Sequence, residues 1–261
     1  MKRISLIFLS IIVPVNLLLA QEQNTGRIDT AFIKKTLEIL ASDSLEGRAP
    51  FTPGIEKAAS YIRGQMQQFD LKPMYPDYND TVYRQDVNLV GILSSENSSN
   101  RSLVVGSHYD HIGIEPGQAD SIANGANDNA SGVAVMLALA KYFSENEIEP
   151  QRDIIFAAFT LEEQGLYGSR HLAERWQQEG KEVFAVANFD MLGAKLPDQS
   201  GKTYATGFHK SEMNQMINVA LGDSLILDLP FSEHYGLFRM SDNYPFYQVL
   251  KIPAHTFSTF N

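Results

Sequence analysis

Three short stretches of the chain carry almost no polar residue: Ser102–Ser107 (SLVVGS), Asp153–Leu161 (DIIFAAFTL) and Val183–Phe189 (VFAVANF). Each lacks the alternation of a half-buried strand, so each reads as a strand covered on both faces. Helical stretches separate them. Ser131–Asn146 (SGVAVMLALAKYFSEN) is apolar nearly all round, with polar residues only towards its end, and Gly168–Gly180 (GSRHLAERWQQEG) is amphipathic. Strand, helix, strand, helix, strand predicts a single α/β domain: a mixed, mostly parallel sheet flanked by helices on both faces.

Upstream, Phe32, Leu37, Ile39 and Leu40 fall at helical spacing, as do Ala58, Ala59, Ile62 and Met66. The turn-rich segment Ser42–Gly54 separates these two helices, and Pro73 closes the second. Pro76–Asp80 reads as loop, Asp86–Leu93 (DVNLVGIL) as a strand, and Ser94–Asn100 as an exposed turn carrying the sequon Asn97-Ser98-Ser99. No internal repeat or domain linker interrupts the pattern.

The opening of the chain is different in kind. Lys2 and Arg3 precede an apolar run from Ile4 to Leu19, and Ala20 offers a small residue before Gln21. That order predicts a secretory signal at residues 1–20 and a mature domain at 21–261. A membrane anchor is the competing reading, but the run is short and Pro14 and Asn16 break it. The sequence therefore predicts export, to the periplasm or beyond the cell, with no stable membrane insertion after cleavage. At 261 residues and 44% apolar content the chain can bury a large core. Its net charge is −10; loss of Lys2 and Arg3 would leave 19 Lys+Arg against 31 Asp+Glu. Such a surface disfavours nucleic acid and anionic membranes. There is no cysteine, which excludes disulfides, thiol nucleophiles and thiolate-bound zinc.

Each buried run delivers acidic or imidazole side chains as it ends. The first gives His108, Asp110 and His111, the second Glu162 and Glu163, the third Asp190. In a parallel sheet these ends share one edge, where α/β folds bind ligands. Asp128 joins from the loop Asn124–Gly132 (NGANDNASG). Converging carboxylates repel one another, and a divalent cation removes that conflict. One imidazole with several carboxylates suits zinc, with manganese or cobalt also compatible, and suits a catalytic more than a structural site. His108 and Asp110 are two apart on extended chain, so Asp110 can orient the imidazole. Of Glu162 and Glu163, one can ligate while the other serves as general base. Asp128 alone could equally cap the helix that follows, a role for which Ser131 competes.

The segments LASDSLEGRAPFTPG, NLVGIL, GSHYDHIG, NGANDNASGVA, TLEEQGLYGS, NFDMLG and SDNYPF, in that order, resemble the M28 family of zinc aminopeptidases. The resemblance implies a zinc-exopeptidase-like fold and two zinc ions per chain. His108, Asp128 and Asp190 would hold one ion. Asp128 would bridge to a second, also held by Glu163. Glu162 would be the general base and Asp110 would steady His108. His111, His171, His209, His234 and His255 match no ligand position of the family and are expected to be ordinary surface or core histidines. Asn243, where many members carry histidine, is expected at the rim.

The implied reaction is hydrolysis of N-terminal residues from peptides through a metal-activated water. A glutaminyl cyclase or carboxypeptidase of the same fold is the alternative, as is an inactive or incomplete peptidase-like protein. The last reading arises because the family's final zinc-binding histidine follows a strand resembling Ile252–Thr259, and the sequence stops at Asn261. The domain is accordingly expected to lack its C-terminal end and to bind its second ion weakly.

Overall fold

A computed structural model describes residues 26–97, 101–117 and 119–260. The predicted signal segment and residues Ser98 and Ser99 of the sequon lie outside them. The chain opens with helices α1 (Thr30–Leu40) and α2 (Pro53–Gln68), then strands β1 (Lys72–Pro73), β2 (Asn79–Tyr83), β3 (Asp86–Leu93) and β4 (Ser102–His108). A small ribbon of β5 (Gly113–Ile114) and β6 (Ile122–Ala123) precedes α3 (Ser131–Glu145). The rest alternates: β7 (Ile154–Phe159), α4 (Tyr167–Glu179), β8 (Val183–Phe189), β9 (Thr203–Ala205), α5 (Met213–Leu221), β10 (Ile226–Leu227), α6 (Pro230–His234), α7 (Asn243–Leu250) and β11 (Ala254–Ser258).

The main sheet runs β1-β3-β7-β4-β8-β11-β9-β10, with β2 also paired to β3. Its centre, β7-β4-β8-β11, is parallel throughout. Antiparallel pairs β3–β7 and β11–β9 flank that centre, so the sheet is mixed as predicted. One expectation fails locally: the loop reading of Pro76–Asp80 is wrong from Asn79 onward, where the chain enters β2 and pairs with β3. Asn79 and Asp80 have low strand propensity, but Asp80 is buried and bonded to Asn88 Nδ2 at 2.9 Å, a tertiary contact that overrides it.

The buried runs divide their side chains between two cores. Ile154, Phe156 and Ala158 of β7 pack with α2 and α3 through Ile62, Met66, Val133 and Leu137. Ile155, Ala157 and Phe159 face the other way, onto Leu172, Ala173 and Trp176 of α4 and Phe246 of α7. Two-sided burial is why these strands show no polar alternation. Trp176 is fully buried and its indole N–H donates to Tyr75 Oη at 3.0 Å, so its one polar atom is satisfied. Among the described residues, no helix is long and apolar enough to cross a membrane.

Candidate metal centre

Because β7, β4 and β8 are adjacent and parallel, their carboxyl ends meet at one edge. His108 is the last residue of β4, Glu162 and Glu163 follow β7, and Asp190 follows β8. Asp128 reaches the same edge from the segment leading into α3. It caps no helix. Ser131 Oγ meanwhile donates to Asn127 O at 2.7 Å and accepts from Leu192 N–H at 2.9 Å, tying this segment to the chain beyond β8.

The atoms that could hold a metal fall into two groups, each within 4.8 Å: His108, Glu162 and Asp190, and His111, Asp128 and Glu163. The groups adjoin, since His108 Nε2 lies 3.3 Å from Asp128 Oδ1 and 3.5 Å from Asp190 Oδ1. The two neighbouring glutamates divide, one to each group. Asp110, fully buried, makes that division rigid: its Oδ1 accepts from Glu162 N–H at 3.1 Å and its Oδ2 from Glu163 N–H at 3.2 Å. Its link to the imidazole is looser, with Oδ1 3.7 Å from His108 Nδ1. The Asp110 carboxylate therefore holds the glutamate pair, while His108 Nδ1 lies nearer the Asp110 main-chain carbonyl, at 3.3 Å.

The charges here are unsettled without a cation. Burial pushes the Glu162 carboxyl up; His108 opposes this, while Asp242, Asp190 and Asp110 reinforce it. Burial works against a charged His108, but Glu162, Asp110, Asp128 and Asp190 raise it well above 6.5. Burial likewise opposes a charged Asp128, yet His108, His111 and Arg48 hold its carboxyl below 3.8. Asp190 Oδ2 accepts from Ser241 Oγ at 2.7 Å, while its buried Oδ1 has no hydrogen-bond partner among the described residues. A buried carboxylate oxygen left so, beside an imidazole nitrogen and a second carboxylate, fits a divalent cation with N and O ligands.

Two residues of the site escaped the sequence reading. His111, expected to be an ordinary histidine, stands in the second group with Nδ1 at 2.7 Å from Glu163 Oε1. The signal available was two imidazoles within four residues of a strand end. Asp242 is fully buried, and among the described residues neither oxygen meets a hydrogen-bond partner of good geometry, although the Ser169 hydroxyl is near enough to favour its charged form. Burial nonetheless pushes this carboxyl up, with Asp110 and Asp190 adding to the effect. The expectation for Asn243 also fails. It does not sit at the rim but is fully buried, donating to Phe238 O at 3.2 Å and accepting from Thr256 Oγ1 at 2.7 Å.

The other histidines behave as expected. His171 pairs with Asp80 at 3.3 Å, His209 with Asp228 at 2.6 Å, and His234 packs on Tyr235. His255 is buried in β11, between Ser211 Oγ at 2.7 Å and Thr206 O at 3.0 Å.

A probable zinc metalloprotease of Pyricularia oryzae is 36% identical over 193 residues, covering 68% of this chain and 38% of the relative. The chain spans about a third of the length of the curated relatives it matches. Among solved structures, the LapA aminopeptidase of Legionella pneumophila superposes with a TM-score of 0.71 at 19% identity, covering 90% of this chain and 62% of that one. A glutaminyl cyclase of Tannerella forsythia gives 0.66 at 16% identity, covering 90% and 85%. These likenesses show a shared fold. Residues 88–261, which include every candidate ligand described above, match the profile of Peptidase family M28, and the chain belongs to that family.

Proposed function

We propose that the protein is a zinc-dependent exopeptidase that removes N-terminal residues from peptides, with two ions at the sheet edge. The observation that carries this reading is the split of Glu162 and Glu163 between two adjoining ligand groups, with Asp128 facing both His108 and His111's group. His108, Asp190 and Asp128 hold the first ion; Asp128, Glu163 and His111 hold the second. Bound zinc supplies a water of near-neutral pKa and a Lewis acid for the scissile carbonyl.

The chain's own residues do the rest. Glu162, next to His108 and Asp190 but free of the second group, takes the proton of the attacking water and returns it to the leaving amine. Asp110 fixes that carboxylate by its grip on the Glu162 N–H. The net charge of −10 favours the protonated N-terminus of a peptide over an anionic substrate.

The two ions bind unequally. His108 Nε2 already points between two carboxylates, whereas His111 and Glu163 must give up their mutual hydrogen bond to bind an ion. Export through residues 1–20 belongs to the same proposal.

The deciding assay offers aminoacyl-anilides and N-terminal glutaminyl peptides to the zinc-loaded protein. Release of the anilide supports the aminopeptidase; cyclisation without hydrolysis would replace it with the cyclase reading; neither would defeat both.

A further inference from the structure

Arg48 is a buried cation that, among the described residues, is bound to no carboxylate. The residue is 1% exposed, yet among the described residues its hydrogen bonds go to backbone carbonyls. Nε donates to Tyr109 O at 2.9 Å. Nη1 donates to Leu40 O and to Asn124 O at 2.7 Å. Nη2 donates to Gly125 O at 2.9 Å and reaches Asp128 O at 3.5 Å. A guanidinium has five N–H donors in a fixed plane, and here five carbonyls meet them. Burying such a charge is costly unless its donors are matched, so the arrangement calls for a use.

The acceptors show what the use is. Tyr109 lies between His108 and Asp110, and Arg48's own carbonyl accepts from His111 N–H at 3.2 Å. Asn124, Gly125 and Asp128 belong to the other ligand-bearing loop. The β5–β6 ribbon joins the two loops at Gly113 and Ala123, and Arg48 adds a second tie nearer the ligand residues, from Tyr109 to Asn124 and Gly125. The chain makes room for it at two places. Glu46, Gly47 and Arg48 run in the left-handed region, and a Cβ on Gly47 would come within 2.5 Å of the Gly113 and Ala123 carbonyls. A Cβ on Gly125 would come within 2.5 Å of Arg48 Nη2 and 2.7 Å of the His111 ring. The guanidinium also faces Asp110, Asp128 and Glu163, offsetting part of their repulsion.

We propose that Arg48 is the positioning residue of the second ion site, fixing His111 against Asp128 by gripping the backbones of both loops. The inference rests on the two-ion reading above. It is tested by titrating zinc or cobalt(II) into the metal-free protein and its variants by calorimetry, with the visible cobalt spectrum reporting each site's geometry. Lysine keeps the charge but has three donors and no fork. In Arg48→Lys the second binding event is expected to weaken about 10- to 100-fold, with its cobalt spectrum altered and the first event shifted by no more than about threefold. In Arg48→Ala, added ethylguanidinium is expected to restore the second event.

An unchanged second event in the lysine variant would overturn the proposal. So would equal loss at both sites together with a lowered thermal midpoint, which would mark Arg48 as a general structural support. If the unaltered protein itself binds a single ion, the two-ion reading falls and takes this role with it. Two events indifferent to Arg48 leave that reading standing and defeat only the positioning role.

Discussion

His111 Nδ1 and Glu163 Oε1 are 2.7 Å apart, although 52 residues separate them in the chain. Asp128 completes the group within 4.8 Å. If the pair serves an ion, deleting the imidazole removes a ligand and not merely a hydrogen bond to Glu163. His111→Ala is expected to weaken the second ion by at least about tenfold, the scale seen when even a supporting group is lost. The first ion, held through His108 and Asp190, should be little affected. Metal titration with cobalt(II) checks this; a second event unchanged in the variant would return His111 to the role of a hydrogen-bond partner.

Glu162 separates chemistry from binding. It stands beside His108 and Asp190, and the proposed function gives it the role of general base. Glu162→Gln keeps the shape and removes the base. It is expected to lower kcat about 10²- to 10⁴-fold while zinc stoichiometry stays the same. Loss of zinc along with activity would instead make Glu162 chiefly a ligand.

Asp110 connects the two groups through the backbone, and one amide can replace only half of that. Asn has a single acceptor oxygen, so Asp110→Asn keeps the hydrogen bond from Glu162 N–H or from Glu163 N–H but not both. The released glutamate drifts from its group. Turnover is expected to fall about 10- to 100-fold, with weaker metal binding if Glu163 is the one released. Steady-state kinetics at saturating zinc, beside a metal titration, show which glutamate is lost.

Much of this was legible in the sequence. The runs at Ser102–Ser107, Asp153–Leu161 and Val183–Phe189 lack alternation because both faces of β4, β7 and β8 are covered, and a parallel order then brings His108, Glu162, Glu163 and Asp190 to one edge. What stayed hidden depends on contacts far along the chain. His111 has only its nearness to His108 at the end of β4 to distinguish it from a solvated histidine, and its meaning comes from Glu163. Arg48 sits in a turn-rich stretch where arginine is normally exposed, and all but one of its carbonyl partners lie 61 to 80 residues on. Asn243, expected at the rim, and Asp242 stand at the start of α7, and both are buried.

His255 shows how a histidine in the core responds to pH away from the ligands. Thr206 O can only accept, so it takes a proton from Nδ1, and Nε2 is then left to accept from Ser211 Oγ–H. The Ser211 hydroxyl could also accept from a protonated ring, so it is burial that favours the neutral form. Burial lowers its pKa below 6.5, with Lys210 adding to the effect against the Thr206 carbonyl. In the unfolded chain the same group protonates near 6.5. Between the two values the unfolded state binds more protons, so stability rises with pH there. The contribution of His255 is fully present above about pH 6.5 and is lost as pH falls through the folded value. His255→Gln cannot titrate and should not show this component. It is also expected to be less stable at pH 8 by about 1–2 kcal/mol, through imperfect replacement of the two hydrogen bonds. Urea midpoints of the metal-free protein and the variant, taken from pH 8 down to pH 5, give the test. The gap between them should narrow on acidification, because only the parent loses the His255 contribution, while the acids and histidines of the metal centre titrate alike in both. A gap that stays constant or widens would mean that His255 is not held neutral in the core.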